Sequence, residues 1–62
     1  MKYRVDINWY GGEHKFFRHA ISPEQALRFA IRQLAKEVGY TTRYVQDYVM
    51  DTSHHRWEVN KK

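Results

Sequence analysis

Apolar and polar positions alternate along the N-terminal segment of the chain. From Lys2 to Tyr10 the apolar side chains share one parity, which is the pattern of a half-buried β-strand. Gly11 and Gly12 follow, and an aromatic and apolar run extends from Glu13 to Ile21. Because glycine accepts the positive φ angles of a tight turn, this part of the chain is predicted to form a β-hairpin.

The register of this hairpin depends on the length of its loop. A two-residue loop directs Phe16 towards the apolar side of the first strand, and a three-residue loop directs Phe17 there instead. We favour the three-residue loop, because it sets Asp6 opposite Arg18 and so pairs opposite charges across the strands.

A single helix is predicted between Ser22 and Gly39. Ser22 is a suitable N-cap, Pro23 stands at the first helical position and Gln25 follows three residues after the cap. Glycine is the preferred residue just beyond a helix, so Gly39 marks its end. Apolar residues recur between them at helical spacing and form one stripe that can cover the hairpin: Ala26, Leu27, Ala30, Ile31, Leu34 and Val38.

The segment after Gly39 fits two structures. Tyr44 to Met50 and Arg56 to Asn60 are rich in β-forming residues, and the polar residues between them suit a turn. A second hairpin there gives an α+β fold of ββαββ order, with a four-stranded antiparallel sheet and one helix packed on one face. The alternative is a second helix from Thr42 to Met50, since the apolar residues also fit helical spacing. We favour the hairpin.

Length and composition exclude several classes of protein. Sixty-two residues allow one small domain, residues 1–62, and a hydrophobic content of 42% is too high for a disordered tail. The absence of cysteine excludes disulfides and thiolate chemistry, and no apolar run reaches membrane-spanning length. We therefore expect a cytoplasmic protein with no membrane partner. Its formal net charge of +4 favours an acidic partner.

The predicted helix carries a basic row on the face opposite its apolar stripe. Arg28, Arg32 and Lys36 follow one another at four-residue steps, and the aromatic Phe29 lies beside them. Like charges at this spacing weaken a helix slightly, so the row indicates a surface for phosphates or for an acidic protein. These four residues are the first candidates for partner binding.

A second surface follows from the predicted four-stranded sheet. One helix covers only one face of such a sheet, which leaves a mixture of apolar and basic residues on the other: Arg4, Tyr10, Phe16, Arg18, Val45, Val49 and Arg56. An apolar patch edged by arginine is typical of a protein interface. We expect this face to contact a second copy of the chain, as a homodimer, or a different protein.

No constellation of catalytic or metal-binding residues is visible in the sequence. The four histidines, His14, His19, His54 and His55, lack the spacing of a metal site, and the carboxylates are scattered without a pair for acid–base catalysis. The glycines do not form a phosphate-binding loop. We expect a non-enzymatic protein that uses no cofactor.

The segment from Leu34 to Tyr48 resembles the helix-turn-helix of bacterial and phage repressors. The residues at the spacing by which that family packs its two helices are Ala35, Gly39, Val45 and Tyr48. The resemblance implies a DNA-binding transcriptional regulator whose second helix enters the major groove, with Thr42, Arg43 and Gln46 near the bases. A helix C-cap followed by a strand is the competing interpretation of the same residues.

The whole chain also resembles small phage-encoded ββαββ proteins, which include some anti-CRISPR proteins. The likeness rests on element order, on the helix start Ser22-Pro23-Glu24-Gln25-Ala26-Leu27 and on the closing strand Arg56-Trp57-Glu58-Val59. It implies a phage or mobile-element inhibitor that docks, without catalysis, on a bacterial nucleoprotein complex or its nucleic-acid-binding surface. Such a basic protein contacts a bacterial protein directly, or nucleic acid through its phosphates.

Overall fold

The computed structural model describes the whole chain, residues 1–62, in five elements. In chain order these are β1 (Lys2–Trp9), β2 (Gly12–His19), α1 (Pro23–Val38), α2 (Thr42–Val49) and β3 (Trp57–Lys61). The strands form one antiparallel sheet in the order β2-β1-β3, and both helices pack on the same face of it. The protein is therefore of the α+β class, with three strands and two helices.

The first hairpin has a two-residue turn at Tyr10 and Gly11. Both residues have positive φ angles, 48° and 85°, a combination that matches the right-handed twist of the flanking strands. In this register Asp6 lies opposite Lys15 and not opposite Arg18. The favoured three-residue loop is wrong, because the turn begins one residue before the pair of glycines.

This register determines which aromatic side chain of β2 enters the core. Phe16 lies opposite Val5 and is buried, whereas Phe17 is 55% exposed on the face of the sheet away from the helices. Ile21, just beyond β2, is also exposed. The favoured register predicted the opposite arrangement, since a shift of one residue moves every side chain of a strand to the other face.

The first helix begins and ends where the sequence predicts. The Ser22 hydroxyl oxygen accepts a hydrogen bond from the Gln25 backbone N–H at 3.2 Å. At the other end Gly39 adopts the left-handed conformation and donates its N–H to the Ala35 carbonyl at 3.0 Å. The predicted apolar stripe faces the core: Ala26, Leu27, Ala30, Ile31 and Leu34 are buried, and Val38 is half-buried.

The segment from Thr42 onwards is a second helix, so the predicted four-stranded sheet with one helix is wrong. Val45 and Val49 stand four residues apart and are fully buried in the common core. Thr41 caps the helix, because its hydroxyl oxygen accepts a hydrogen bond from the Tyr44 backbone N–H at 3.2 Å. Burial of one helical face here outweighs the β propensity of Tyr and Val.

The last predicted strand forms as β3, but its partner is β1. Trp57 lies opposite Ile7 and Val59 lies opposite Val5. The predicted partner, Tyr44 to Met50, is helical and cannot pair with it. As a result β1 becomes the central strand, and its inward side chains at alternate positions are all buried: Tyr3, Val5, Ile7 and Trp9.

Candidate nucleic-acid interface

A three-residue turn, residues 39–41, joins α1 to α2. Gly39 has a φ angle of 79°, which an L side chain rarely adopts, and this sharp bend brings α2 back against α1. Ala35 and Val45 are buried in the core, and Tyr48 is half-buried. These residues carried the helix-turn-helix resemblance, and the structure places them in two packed helices. The competing interpretation, a C-cap followed by a strand, is wrong.

The outward side of α2 is polar and open to solvent. Thr42, Arg43 and Gln46 are all exposed, together with the acidic Asp47. No carboxylate forms an ion pair with Arg43. An arginine and a glutamine on the same side of a helix offer the donors and acceptors that recognise base edges in the major groove of DNA.

The basic row on α1 is exposed as the sequence predicts. Arg28, Arg32 and Lys36, here called the basic ridge, are open to solvent along the outer side of the helix. None of the four ion pairs of the molecule includes them. Their charges therefore remain available to a partner.

Phe29 does not belong to an exposed surface, contrary to prediction. The ring is half-buried and packs against the core on the flank of α1 that faces β2. The guanidinium carbon of Arg18 lies 5.1 Å from the centroid of this ring and covers it. The inward orientation of Arg18 on β2, set by the hairpin register, explains the contact.

The second predicted surface, on the open face of a four-stranded sheet, does not form. Phe16 is buried, and Val45 and Val49 lie in the core rather than on a strand. Of the predicted residues only Arg4 lies on the sheet face away from the helices, and its Nε is 3.3 Å from a carboxylate oxygen of Asp6.

Arg56 contributes to internal structure rather than to that surface. Its guanidinium carbon lies 3.9 Å from the centroid of the Tyr48 ring, and Nη1 donates a 2.8 Å hydrogen bond to the Tyr48 carbonyl. The same nitrogen is 3.4 Å from a carboxylate oxygen of Asp51. These contacts fix the loop that leads from α2 into β3.

Five aromatic residues cluster where the hairpin turn meets α2, and we call this cluster the aromatic patch: Trp9, Tyr10, Tyr40, Tyr44 and Tyr48. The Tyr10 and Tyr48 rings stack with centroids 4.5 Å apart, and the Tyr40 and Tyr44 rings stack at 4.9 Å. Trp9 lies buried at the centre, while Tyr10, Tyr40 and Tyr44 are about half exposed or more. Exposed tyrosine supported by buried tryptophan is a composition common in protein interfaces.

Tyr10 is held tightly within the patch. Its hydroxyl lies 2.9 Å from the hydroxyl of Tyr44, and its backbone N–H donates to the Tyr48 hydroxyl at 3.2 Å. The hydrogen bond with Tyr44 is the main reason that the pKa of Tyr10 is raised above its ordinary value. Of this patch the sequence predicted only Tyr10. The sequence also has Tyr40 in the turn after α1 and Tyr44 four residues later, but their rings come together only because residues 42–49 form a helix.

The titratable residues do not assemble into a reactive centre. No group of three His, Asp or Glu side chains lies close enough to hold a metal ion. His14 lies 4.0 Å from Glu37, and His54 lies 3.6 Å from Asp51. A cavity of about 450 Å³ forms an open groove between the helices and β3, with a mainly apolar lining that includes Leu27, Ile31, Met50 and Trp57.

Neither helix combines the length and the apolar character needed to cross a membrane. Comparison of the sequence with protein-family models and with curated proteins found no match, and comparison of the structure with solved structures found none either.

Proposed function

We propose that this chain is a non-enzymatic, cytoplasmic DNA-binding protein that uses α1 and α2 as a helix-turn-helix unit, in the manner of a small transcriptional regulator. The observation that carries the proposal is the position of Thr42, Arg43 and Gln46. All three are exposed on α2, while Val45 and Val49 fix its opposite side in the core. This division leaves a helix with one free polar side.

The proposed recognition divides the work between the two helices. α2 enters the major groove, where Arg43 donates two hydrogen bonds to a guanine and Gln46 pairs with an adenine edge. The Thr42 hydroxyl, at the start of the helix, reaches a phosphate. The basic ridge of α1 follows the DNA backbone and supplies affinity that does not depend on sequence.

Selection from a randomised DNA duplex pool tests this proposal. We expect the protein to select a preferred site, and Arg43→Ala to lower affinity for that site about tenfold or more while relaxing the preference at one base pair. Gln46→Ala relaxes the preference at a neighbouring position. Lys15→Ala is the matched control, because Lys15 is an exposed cation on β2. An Arg43→Ala protein that selects the same site with the same affinity contradicts the proposal.

A second candidate function is favoured by the aromatic patch. In it the chain is a phage or mobile-element inhibitor, and Tyr10, Tyr40 and Tyr44 dock on a protein of a bacterial nucleoprotein complex. Exposed tyrosines that are already fixed by stacking lose little entropy on binding, so the patch supports a protein contact as well as a structural role.

Capture from a bacterial lysate treated with nuclease separates this second candidate from DNA binding. We expect Tyr40→Ser to abolish capture of a nuclease-resistant partner and Phe17→Ser to leave it intact. Tyr40 and Phe17 are a matched pair, because each is 55% exposed, and Phe17 lies on the other side of the sheet. Loss of every captured protein on nuclease treatment counts against the inhibitor and leaves the DNA-binding function.

A further inference from the structure

A shallow cavity lies between β2 and the flank of α1 that faces it. Its volume is about 240 Å³, and it is lined by Arg18, Phe29, Arg32, Gln33 and Lys36. Three of these residues are cations and none is acidic. The lining therefore favours an anion.

The polar groups of this cavity present donors. Arg18 donates from Nη1 to the side-chain oxygen of Gln33 at 3.4 Å, which leaves the NH₂ group of Gln33 free to donate. Arg18, Arg32 and Lys36 carry donors only. An occupant that carries acceptors only, as a phosphate group does, satisfies all of them.

Arg18 is held in place before any ligand arrives. Its guanidinium carbon lies 5.1 Å from the centroid of the Phe29 ring, and one of its N–H groups is bonded to Gln33. Arg18 and Phe29 are both half-buried. A guanidinium fixed in this way loses little side-chain entropy on binding, and its planar set of donors matches the oxygens of a phosphate.

The three cations around the cavity form no ion pair within the molecule. The four ion pairs of the molecule involve other groups: Arg4, Arg56, His14 and His54. Arg32 and Lys36 also stand four residues apart on one helix, a spacing at which like charges repel. A bound anion relieves this repulsion.

We infer that this cavity, here called the phosphate cradle, binds a phosphate group of the DNA backbone. The inference rests on the proposed function, because two of its cations, Arg32 and Lys36, belong to the ridge that follows the DNA backbone. It adds Arg18 and Gln33 to that ridge. The Phe29 ring supports the Arg18 guanidinium within this cavity.

Gln33→Glu is the sharpest test of the phosphate cradle. The substitution is nearly isosteric and keeps an acceptor for Arg18, so the fold is retained, but it places a carboxylate where the phosphate binds. We expect affinity for a non-specific DNA duplex to fall about tenfold or more at low salt. We also expect the salt dependence of the binding constant to weaken by about one phosphate contact.

The matched control is Gln25→Glu. Gln25 is also half-buried on α1, and its side-chain oxygen accepts a 2.9 Å hydrogen bond from the Ile21 backbone N–H, which glutamate preserves. It adds the same charge to the same helix outside the phosphate cradle. If Gln25→Glu lowers affinity as much as Gln33→Glu does, the effect is one of net charge and the phosphate cradle is overturned.

The remaining outcomes separate this inference from the proposed function. If Gln33→Glu leaves both the DNA affinity and its salt dependence unchanged while Arg43→Ala still alters the base preference, the phosphate cradle is overturned. This result retains α2 as the recognition helix. Inorganic phosphate added to the free protein is expected to shift the Nε–H resonance of Arg18 in the wild type and not in Gln33→Glu. A shift from phosphate, with DNA affinity insensitive to Gln33→Glu, assigns the site to a free phosphate and overturns its role on DNA.

Discussion

Two glycines hold the backbone in the left-handed region, each at a turn between two elements. Gly11 closes the hairpin beside the aromatic patch with a φ angle of 85°, and Gly39 ends α1 with a φ angle of 79°. A Cβ atom at either position meets no other atom within 4 Å. The cost of any other residue there is therefore conformational rather than steric.

Gly39→Ala tests this reasoning at the turn between the helices. We expect the free energy of unfolding to fall by about 1 kcal/mol, because an L residue must adopt the left-handed conformation there. Gly12→Ala is the control, since Gly12 does not have a positive φ angle and its added Cβ makes an ordinary 3.4 Å contact with the Trp9 carbonyl. Urea unfolding followed by tryptophan fluorescence measures both, and equal losses in the two variants contradict the expectation.

Asp51 fixes the loop between α2 and β3 through its charge. One carboxylate oxygen accepts a hydrogen bond from the Ser53 backbone N–H at 3.0 Å, and the other lies near His54 and Arg56. The Ser53 N–H, followed by His54 and Arg56, holds the pKa of Asp51 below its ordinary value of 3.8. The ionised carboxylate is therefore the form that the folded state prefers.

A stability difference that depends on pH follows from this preference. A carboxyl group whose pKa is lowered by folding stabilises the protein above its unfolded pKa, and this contribution disappears as the pH falls through the folded pKa. We expect Asp51→Asn to be less stable than the wild type at neutral pH, and the difference to shrink below about pH 4. Urea unfolding at neutral and acidic pH measures it. A difference that stays constant down to acidic pH shows that the charge is not involved.

Among the elements, α1 was predictable because its signals are local. Ser22, Pro23 and Gly39 each act within one turn of the helix, through a cap, a fixed φ angle and a left-handed residue. The exposure of the basic ridge follows from the phase of the same helix. The position of the basic ridge could therefore be predicted without knowledge of tertiary contacts.

The parts that the sequence did not predict depend on contacts between distant residues. Tyr and Val at 44–50 fit both a strand and a helix, and only their burial against α1 decides for α2. The hairpin register is likewise decided by the burial of Phe16, since the charge pair of Asp6 and Arg18 suggested another register. The phosphate cradle depends on the register, which points Arg18 towards α1, and the aromatic patch depends on α2, which carries Tyr44 and Tyr48. For this reason neither was predicted.

Val45→Thr distinguishes a helix from a hairpin at residues 44–50, because the two structures predict different losses in the free energy of unfolding. In the hairpin Val45 lies on an open sheet face and tolerates threonine, whereas in α2 its side chain is fully buried. We expect a loss of about 1–3 kcal/mol, because the new hydroxyl is buried without an assured partner. The reverse change, Thr42→Val, exchanges the same two residue types at an exposed position of the same helix and is expected to be nearly neutral. Equal effects of the two changes on urea unfolding contradict the helix.

In the whole molecule, five cations that form no ion pair lie on the helical side. The three cations of the basic ridge lie on α1, Arg43 lies on α2 and Arg18 points towards α1 from β2. On the open face of the sheet the guanidinium of Arg4 is paired with Asp6, while Lys2 and Lys15 form no ion pair. The cations of the helical side include Arg43 on α2, so this is the side on which the proposed function places the DNA.

The two helices are anchored to the core to very different degrees. α1 buries six residues and β1 pairs with a strand on each side, whereas α2 buries only Val45 and Val49. Local opening requires less free energy where fewer apolar contacts must break. We expect hydrogen exchange to show the slowest amides in β1 and faster exchange in α2, and similar protection in both contradicts this gradient.

DNA binding is expected to slow hydrogen exchange in α2 more than in β1. If α2 inserts into the major groove, opening of α2 must also release the DNA, so its amides become protected by an amount that grows with the concentration of duplex. We expect hydrogen exchange to slow most at the amides of α2 and of the turn at residues 39–41. The amides of β1 are expected to exchange only through global unfolding, so their exchange rates change only as the overall stability changes. Arg43→Ala in the same titration is expected to weaken the protection by the preferred duplex and not by a random one. Protection confined to the sheet, with α2 unaffected, places the DNA on the opposite face and removes the proposed recognition helix.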